Sequence, residues 1–180
     1  MWKWTRRASA LVLGLVVLAA GVSCTSEESL GPSTEQPSAL IAGTVDNVAT
    51  ALRNLHLLSC STQPYATSTR DVGPEGGTIT VGTHRLVIPA GALSRRVTIR
   101  AEQVPGNVNS VRFSPEGLQF ARPAAVTLSY QNCSPLMLLK RVVYVDEKLR
   151  ILDLLPSLDK VFAKTVTGSI RHFSRYAVAW

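Results

Sequence analysis

Ser174 and His172 stand two apart in "SIRHFSRYAVAW", the last twelve residues of the chain. A hydroxyl beside an imidazole is a pairing used in acyl transfer, the imidazole taking a proton as the oxygen attacks a carbonyl. The nearest carbonyl belongs to Phe173, so the chemistry open to this stretch is attack on its own backbone. That attack needs a distorted peptide, because a relaxed trans amide is a poor acyl donor. Cys24, Cys60 and Cys133 are the other reactive side chains. His56, His84 and His172 are isolated, with no two histidines at the i, i+4 spacing of a metal helix, so no metal and no cofactor is expected. Gly76-Gly77 lacks the Lys-Ser/Thr that would follow in a phosphate loop, and Asp146-Glu147 reads as solvated charge in a hairpin turn.

The elements that must position these groups begin with MWKWTRR, which carries Lys3, Arg6 and Arg7 ahead of the apolar run ALVLGLVVLAAGV. The run is shorter than the roughly 20 apolar residues of a membrane span and ends in small residues, as a secretory signal does. Residues 1–23 are therefore expected to direct export and to be removed. The small residue followed by Cys24 resembles the lipobox of bacterial lipoproteins, although Gly21 stands where Leu is usual. The resemblance implies that a diacylglycerol alkylates the Cys24 thiol, which becomes the mature N-terminus. Each buried methylene of an acyl chain adds about 0.8 kcal/mol of membrane affinity.

Export also removes three cations from a chain of formal net charge +7. The remaining Lys and Arg are scattered, which argues against nucleic acid and leaves anionic headgroups as the milder partner. With Cys24 lipidated, Cys60 and Cys133 are an even pair in an oxidising compartment, expected as a disulfide worth about 4 kcal/mol, or else as two buried thiols. Residues 24–38, rich in Ser, Thr, Glu and Pro, read as a flexible tether. Across residues 39–58, Ile41, Val45, Val48, Leu52 and Leu55 recur every three or four residues, the spacing of an amphipathic helix.

After Pro64 the chain becomes short alternating segments separated by Gly, Pro and Asn. "RRVTIRAEQV" shows the period of two most clearly, with Val97, Ile99 and Ala101 on one face. About eight short strands predict an all-β fold, an antiparallel β-sandwich spanning residues 59–180. The closing run "KTVTGSIRHFSRYAVAW" reads as a single strand. Strict alternation along it leaves Phe173 among Arg171 and Arg175, so a β-bulge near the triplet is expected to turn Phe173 inward.

"GPEGGTITVGTHRLVIPAGALSRRVTI" and "SPEGLQFARPAAVTLSY" resemble the opening blocks of ZU-five domains, a β-sandwich family found in zonula occludens, netrin-receptor and ankyrin proteins. The likeness runs from about Gly73 to Trp180 and rests on turn and core residues. It implies a fold and not a chemistry. Some relatives cut themselves between Phe and Ser of a His-Phe-Ser triplet, and that role would fall here on His172, Phe173 and Ser174.

The expected protein is a non-enzymatic, lipid-anchored binding or structural module of the bacterial cell envelope, periplasmic or surface-facing, held to the membrane through Cys24. Its partner would be an envelope protein or a glycan. Thr25 gives no aspartate-type retention signal, which favours an outer membrane where one exists. Self-cleavage between Phe173 and Ser174 is the first alternative. A carbohydrate-binding module is the second, with Tyr65, Tyr130, Tyr144, Tyr176 and Trp180 as candidates for a stacking platform.

Overall fold

A computed structural model describes residues 50–134 and 137–180. The expected signal peptide, the tether, Cys24 and residues 39–49 of the expected helix lie outside them. Only residues 50–53 of that expected helix are helical in the described part, and from His56 onward the chain is extended. Tertiary pairing explains the difference. The N–H groups of His56 and Leu58 donate to the carbonyls of Trp180 and Val178, and Trp180 N–H returns the bond to His56. Leu52 and Leu55 keep helical spacing, but a strand end with free hydrogen-bonding groups captures the segment that follows.

The described strands are β1 (Ala66–Val72), β2 (Gly77–Val81), β3 (His84–Ile88), β4 (Val97–Val104), β5 (Ser110–Ser114), β6 (Gln119–Ser129), β7 (Arg141–Val145), β8 (Ile151–Leu154), β9 (Ser157–Lys160), β10 (Thr165–His172) and β11 (Arg175–Ala179). They form two antiparallel sheets, one ordered β1-β4-β5-β11-β7-β8 and the other β2-β3-β6-β10-β9. The fold is an all-β sandwich. Its core is built from alternating positions: Ile79 and Val81 of β2, Ile99 and Ala101 of β4, and Ala124, Val126 and Leu128 of β6 are all buried. Gly168 of β10 marks a close approach of the two layers, because a Cβ there would lie 2.6 Å from Cβ of Val142 in β7.

Three departures from the alternation reading follow from pairing. Residues 66–72 were not expected as a strand, yet β1 pairs with β4 along its whole length, and its polar side chains face water. β6 runs unbroken through Pro123, a residue type that more often begins or ends a strand. Pro123 falls where the register slips, from Ile170 opposite Ala124 to His172 opposite Gln119, so β6 carries extra residues where a proline can give no ladder N–H. The closing run is two strands. β10 ends at His172 in one sheet, and β11 begins at Arg175 in the other.

Candidate functional site

His172, Phe173 and Ser174 are thus the crossing between the layers. Phe173 turns inward because the chain leaves one sheet for the other at this point, while the extra residues of the bulge sit on β6. Its ring is fully buried, stacked on Phe113 (centroids 5.3 Å, 25°) and edge-on to Phe120 (5.0 Å, 84°). That packing makes Phe173 a core anchor whatever else the triplet does.

The loop between β5 and β6 clamps the crossing. Phe173 N–H donates to the Leu118 carbonyl at 2.9 Å, and the Phe173 carbonyl accepts from Gly117 N–H, also at 2.9 Å. One residue on, the Ser174 carbonyl accepts Phe113 N–H at 3.0 Å. Gly117 has φ +75°, a left-handed conformation that a side chain disfavours, and this turn aims its N–H at the crossing. The Tyr176 hydroxyl donates to the His172 carbonyl at 2.6 Å, and burial raises its pKa above the ordinary tyrosine value. Tyr144 meets the His172 ring edge-on at 5.2 Å.

His172 Nδ1 lies 3.4 Å from the Phe173 carbonyl oxygen, a long contact. With Nδ1 protonated, the imidazole and Gly117 N–H would converge on one carbonyl, as donors do around a developing oxyanion. The imidazole therefore sits on the electrophile. It makes no hydrogen bond to Ser174 Oγ among the described residues; its contact is with the peptide it would position and not with the hydroxyl it would deprotonate. Ser174 is buried, and among the described residues the non-glycine ones with positive φ are Leu149 and Lys164, neither of them in the triplet. Arg175, expected beside Arg171 on the outside, is buried. Its guanidinium donates to Ser110 Oγ and to the Glu147 carbonyl, and Glu147 also pairs with Arg112.

Cys60 and Cys133 form a disulfide, with an S–S distance of 2.07 Å. It ties the extended N-terminal segment to the loop after β6, where Ser61 N–H donates to the Asn132 carbonyl and Ser134 N–H to the Ser59 carbonyl. Around it Asn132 Oδ1 accepts amide protons of Gln63 and Asn109, so Asn132 works as a structural hub. Of the five aromatic residues considered as a glycan platform, Tyr65 alone is exposed, and it is bonded to Glu102 and Arg100. Tyr130 and Tyr176 are buried, with the Tyr130 hydroxyl donating to Asp159, and Trp180 lies 5.2 Å from the His56 ring. His84 is buried with Nδ1 accepting Ser129 N–H at 3.1 Å, which leaves the proton on Nε2 without a partner. Burial lowers its pKa to about 4. Asp146 accepts from Lys148 N–H, Arg150 N–H and the Arg150 guanidinium, the turn role expected of it; these bonds, that of Arg150 N–H first, hold its carboxyl below the ordinary range.

The clamp was partly visible in sequence. Gly117 and Phe120 fall among the turn and core residues of the second family-like block, but nothing in "SPEGL" told that its backbone would bond Phe173. Neither the family models nor the curated proteins compared with the chain give a match.

Proposed function

We propose that this is a lipid-anchored envelope protein whose ZU-five-like sandwich serves as a binding or structural module. The observation that carries the reading is the order of parts: basic start, short apolar run, Ser23-Cys24, polar stretch, then one sandwich joined by Cys60–Cys133. Disulfides persist in compartments reached by export, so the bridge and the signal-like start support one another. The left-handed glycines Gly76, Gly91 and Gly117 fall within the two segments that carry the family resemblance, which supports it. Replacing Cys24 with Ala is expected to move the protein from the membrane fraction to the soluble envelope fraction. Unchanged membrane association would overturn the reading.

A second reading is self-processing, favoured by the convergence of Gly117 N–H and His172 Nδ1 on the Phe173 carbonyl. Ser174 Oγ would attack that carbonyl carbon, the Ser174 nitrogen would leave as a protonated amine, and water would hydrolyse the resulting ester to a Phe173 carboxylate and the free hydroxyl. β11 would stay in place, since it pairs with β5 on one side and β7 on the other. Cleavage must therefore be sought under denaturing conditions. Intact-mass analysis should show a species lacking residues 174–180 that is absent from Ser174→Ala, and a single intact species in the unaltered protein rules the reading out.

A further inference from the structure

The end of the sandwich opposite the triplet carries an apolar cluster that the core does not use. Met137, Leu138 and Leu139 of the loop before β7 are exposed, as are Val161 and Phe162 of the 3-10 turn Val161–Ala163, with Met137 and Phe162 fully in water. These are five of the eight large apolar residues exposed among the described ones, and Met137 and Val161 line the same hollow. Scattered exposed apolar side chains need no explanation, but a cluster on two neighbouring loops marks a contact surface.

The exposed charge at this end is positive. Lys160 and Lys164 flank the turn, Arg141 opens β7 opposite Ala179, and all three are exposed. The loops gathered here, residues 82–83, 105–109, 130–134, 137–140 and 161–164, contain no Asp or Glu. Asp159 of β9 is held by the Tyr130 hydroxyl and Lys140 N–H. The N-terminal segment also enters here. His56 pairs with Trp180, and the disulfide ties Cys60 to Cys133, four residues before Met137.

We infer that this end is a lipid-docking face, with Met137–Leu139 and Val161–Phe162 entering the interface of an anionic bilayer and Lys160, Lys164 and Arg141 meeting its headgroups. The argument joins charge complementarity to the place where the anchor-bearing segment reaches the domain, and to that extent it rests on the lipoprotein reading. An apolar tip ringed by cations is the pattern of an interfacial contact, the apolar residues supplying insertion and the cations attraction to anionic lipid. The first described residues on the anchor's side of the domain lie at this same end, where His56 pairs with Trp180.

The test uses an environment-sensitive dye on Phe162→Cys or, as a control at the opposite end, on Glu116→Cys. Both are made in the full chain, where Cys60 and Cys133 are already joined. On vesicles of phosphatidylcholine with about one-third phosphatidylglycerol, the dye at 162 should shift to the blue and that at 116 should not. Lys160→Gln with Lys164→Gln should weaken binding by about fivefold for each cation removed. The same labels in a Cys24→Ala background read docking without an anchor, so loss of lipid modification and loss of docking give different results. Identical spectra at 162 with and without vesicles in the lipidated protein would overturn the proposal. So would a shift at 162 that grows with protein concentration in the absence of lipid, which would assign the face to a second copy of the chain.

Discussion

The two ends of this sandwich spend their apolar residues in opposite ways. At the triplet end the large ring goes inward: Phe173 stacks on Phe113 and meets Phe120 edge-on, and the surrounding turns carry Glu75, Glu116, Asp146 and Glu147. At the other end Phe162 and Met137 stand in water among exposed lysines. Two phenylalanines eleven residues apart thus have opposite fates, and neighbouring composition does not decide between them. "VFAK" sets its aromatic between Val161 and Ala163, while "RHFSR" sets its own among polar and cationic residues, yet the second is the one buried. What separates them is chain path, because one lies on a crossing between two sheets and the other on a turn at an edge.

The largest expected effect sets these two rings against each other. Phe173→Ala should cost about 3–5 kcal/mol, through lost transfer energy and the cavity left between the sheets. Phe162→Ala should change stability by no more than about 0.5 kcal/mol, as for an exposed site. Urea unfolding followed by circular dichroism checks both, and equal costs would erase the contrast between the ends.

The histidines sharpen it next. His84 at the lysine-rich end is neutral in the fold, its pKa lowered to about 4 by burial from an ordinary 6.5. Between these values the unfolded chain binds more protons, so stability is intact above pH 6.5 and declines as pH falls toward 4. The loss attributable to this group is about 3 kcal/mol at most. His84→Asn keeps an acceptor for Ser129 N–H and should flatten the pH dependence of the urea midpoint across that window. An unchanged slope would show that His84 is not the group responsible.

The smallest expected effect concerns the clamp. Gly117→Ala places a side chain in a left-handed turn and should cost about 1 kcal/mol, even though a Cβ there meets nothing within 4 Å. Because that N–H holds the Phe173 carbonyl, the substitution should also slow any self-cleavage in the mass assay. A variant as stable as the original would mean that the turn relaxes without strain.

Much of the fold was legible because a half-buried strand writes its period into the sequence. β2, β3, β4 and β7 follow alternating or branched apolar runs, and Gly, Pro or Asp-Glu turn residues follow each of them. β1 escaped because "ATSTRDV" has few apolar residues, and backbone pairing with β4 holds it. The expected helix across residues 39–58 gave way beyond residue 53 because its later leucines also suit a strand, and β11 supplied the partner. At the triplet the residues were visible and their roles were not. An alternation rule assumes that a strand stays in one sheet, and here the chain changes sheets between His172 and Arg175.

The sequence by itself determined the class of fold and the inward faces of most strands, because these depend on residue type and on a local period; it left Cys60 and Cys133 as a disulfide or two thiols, and the structure joins them. Tertiary structure alone decided that His172 faces the Phe173 carbonyl and that Gly117 holds it. It alone decided that Phe173 is buried while Phe162 is not, and that the N-terminal segment reaches the domain beside the exposed loops. Each of these depends on the path the chain takes between sheets and on the distant backbone it meets there, which no local period records.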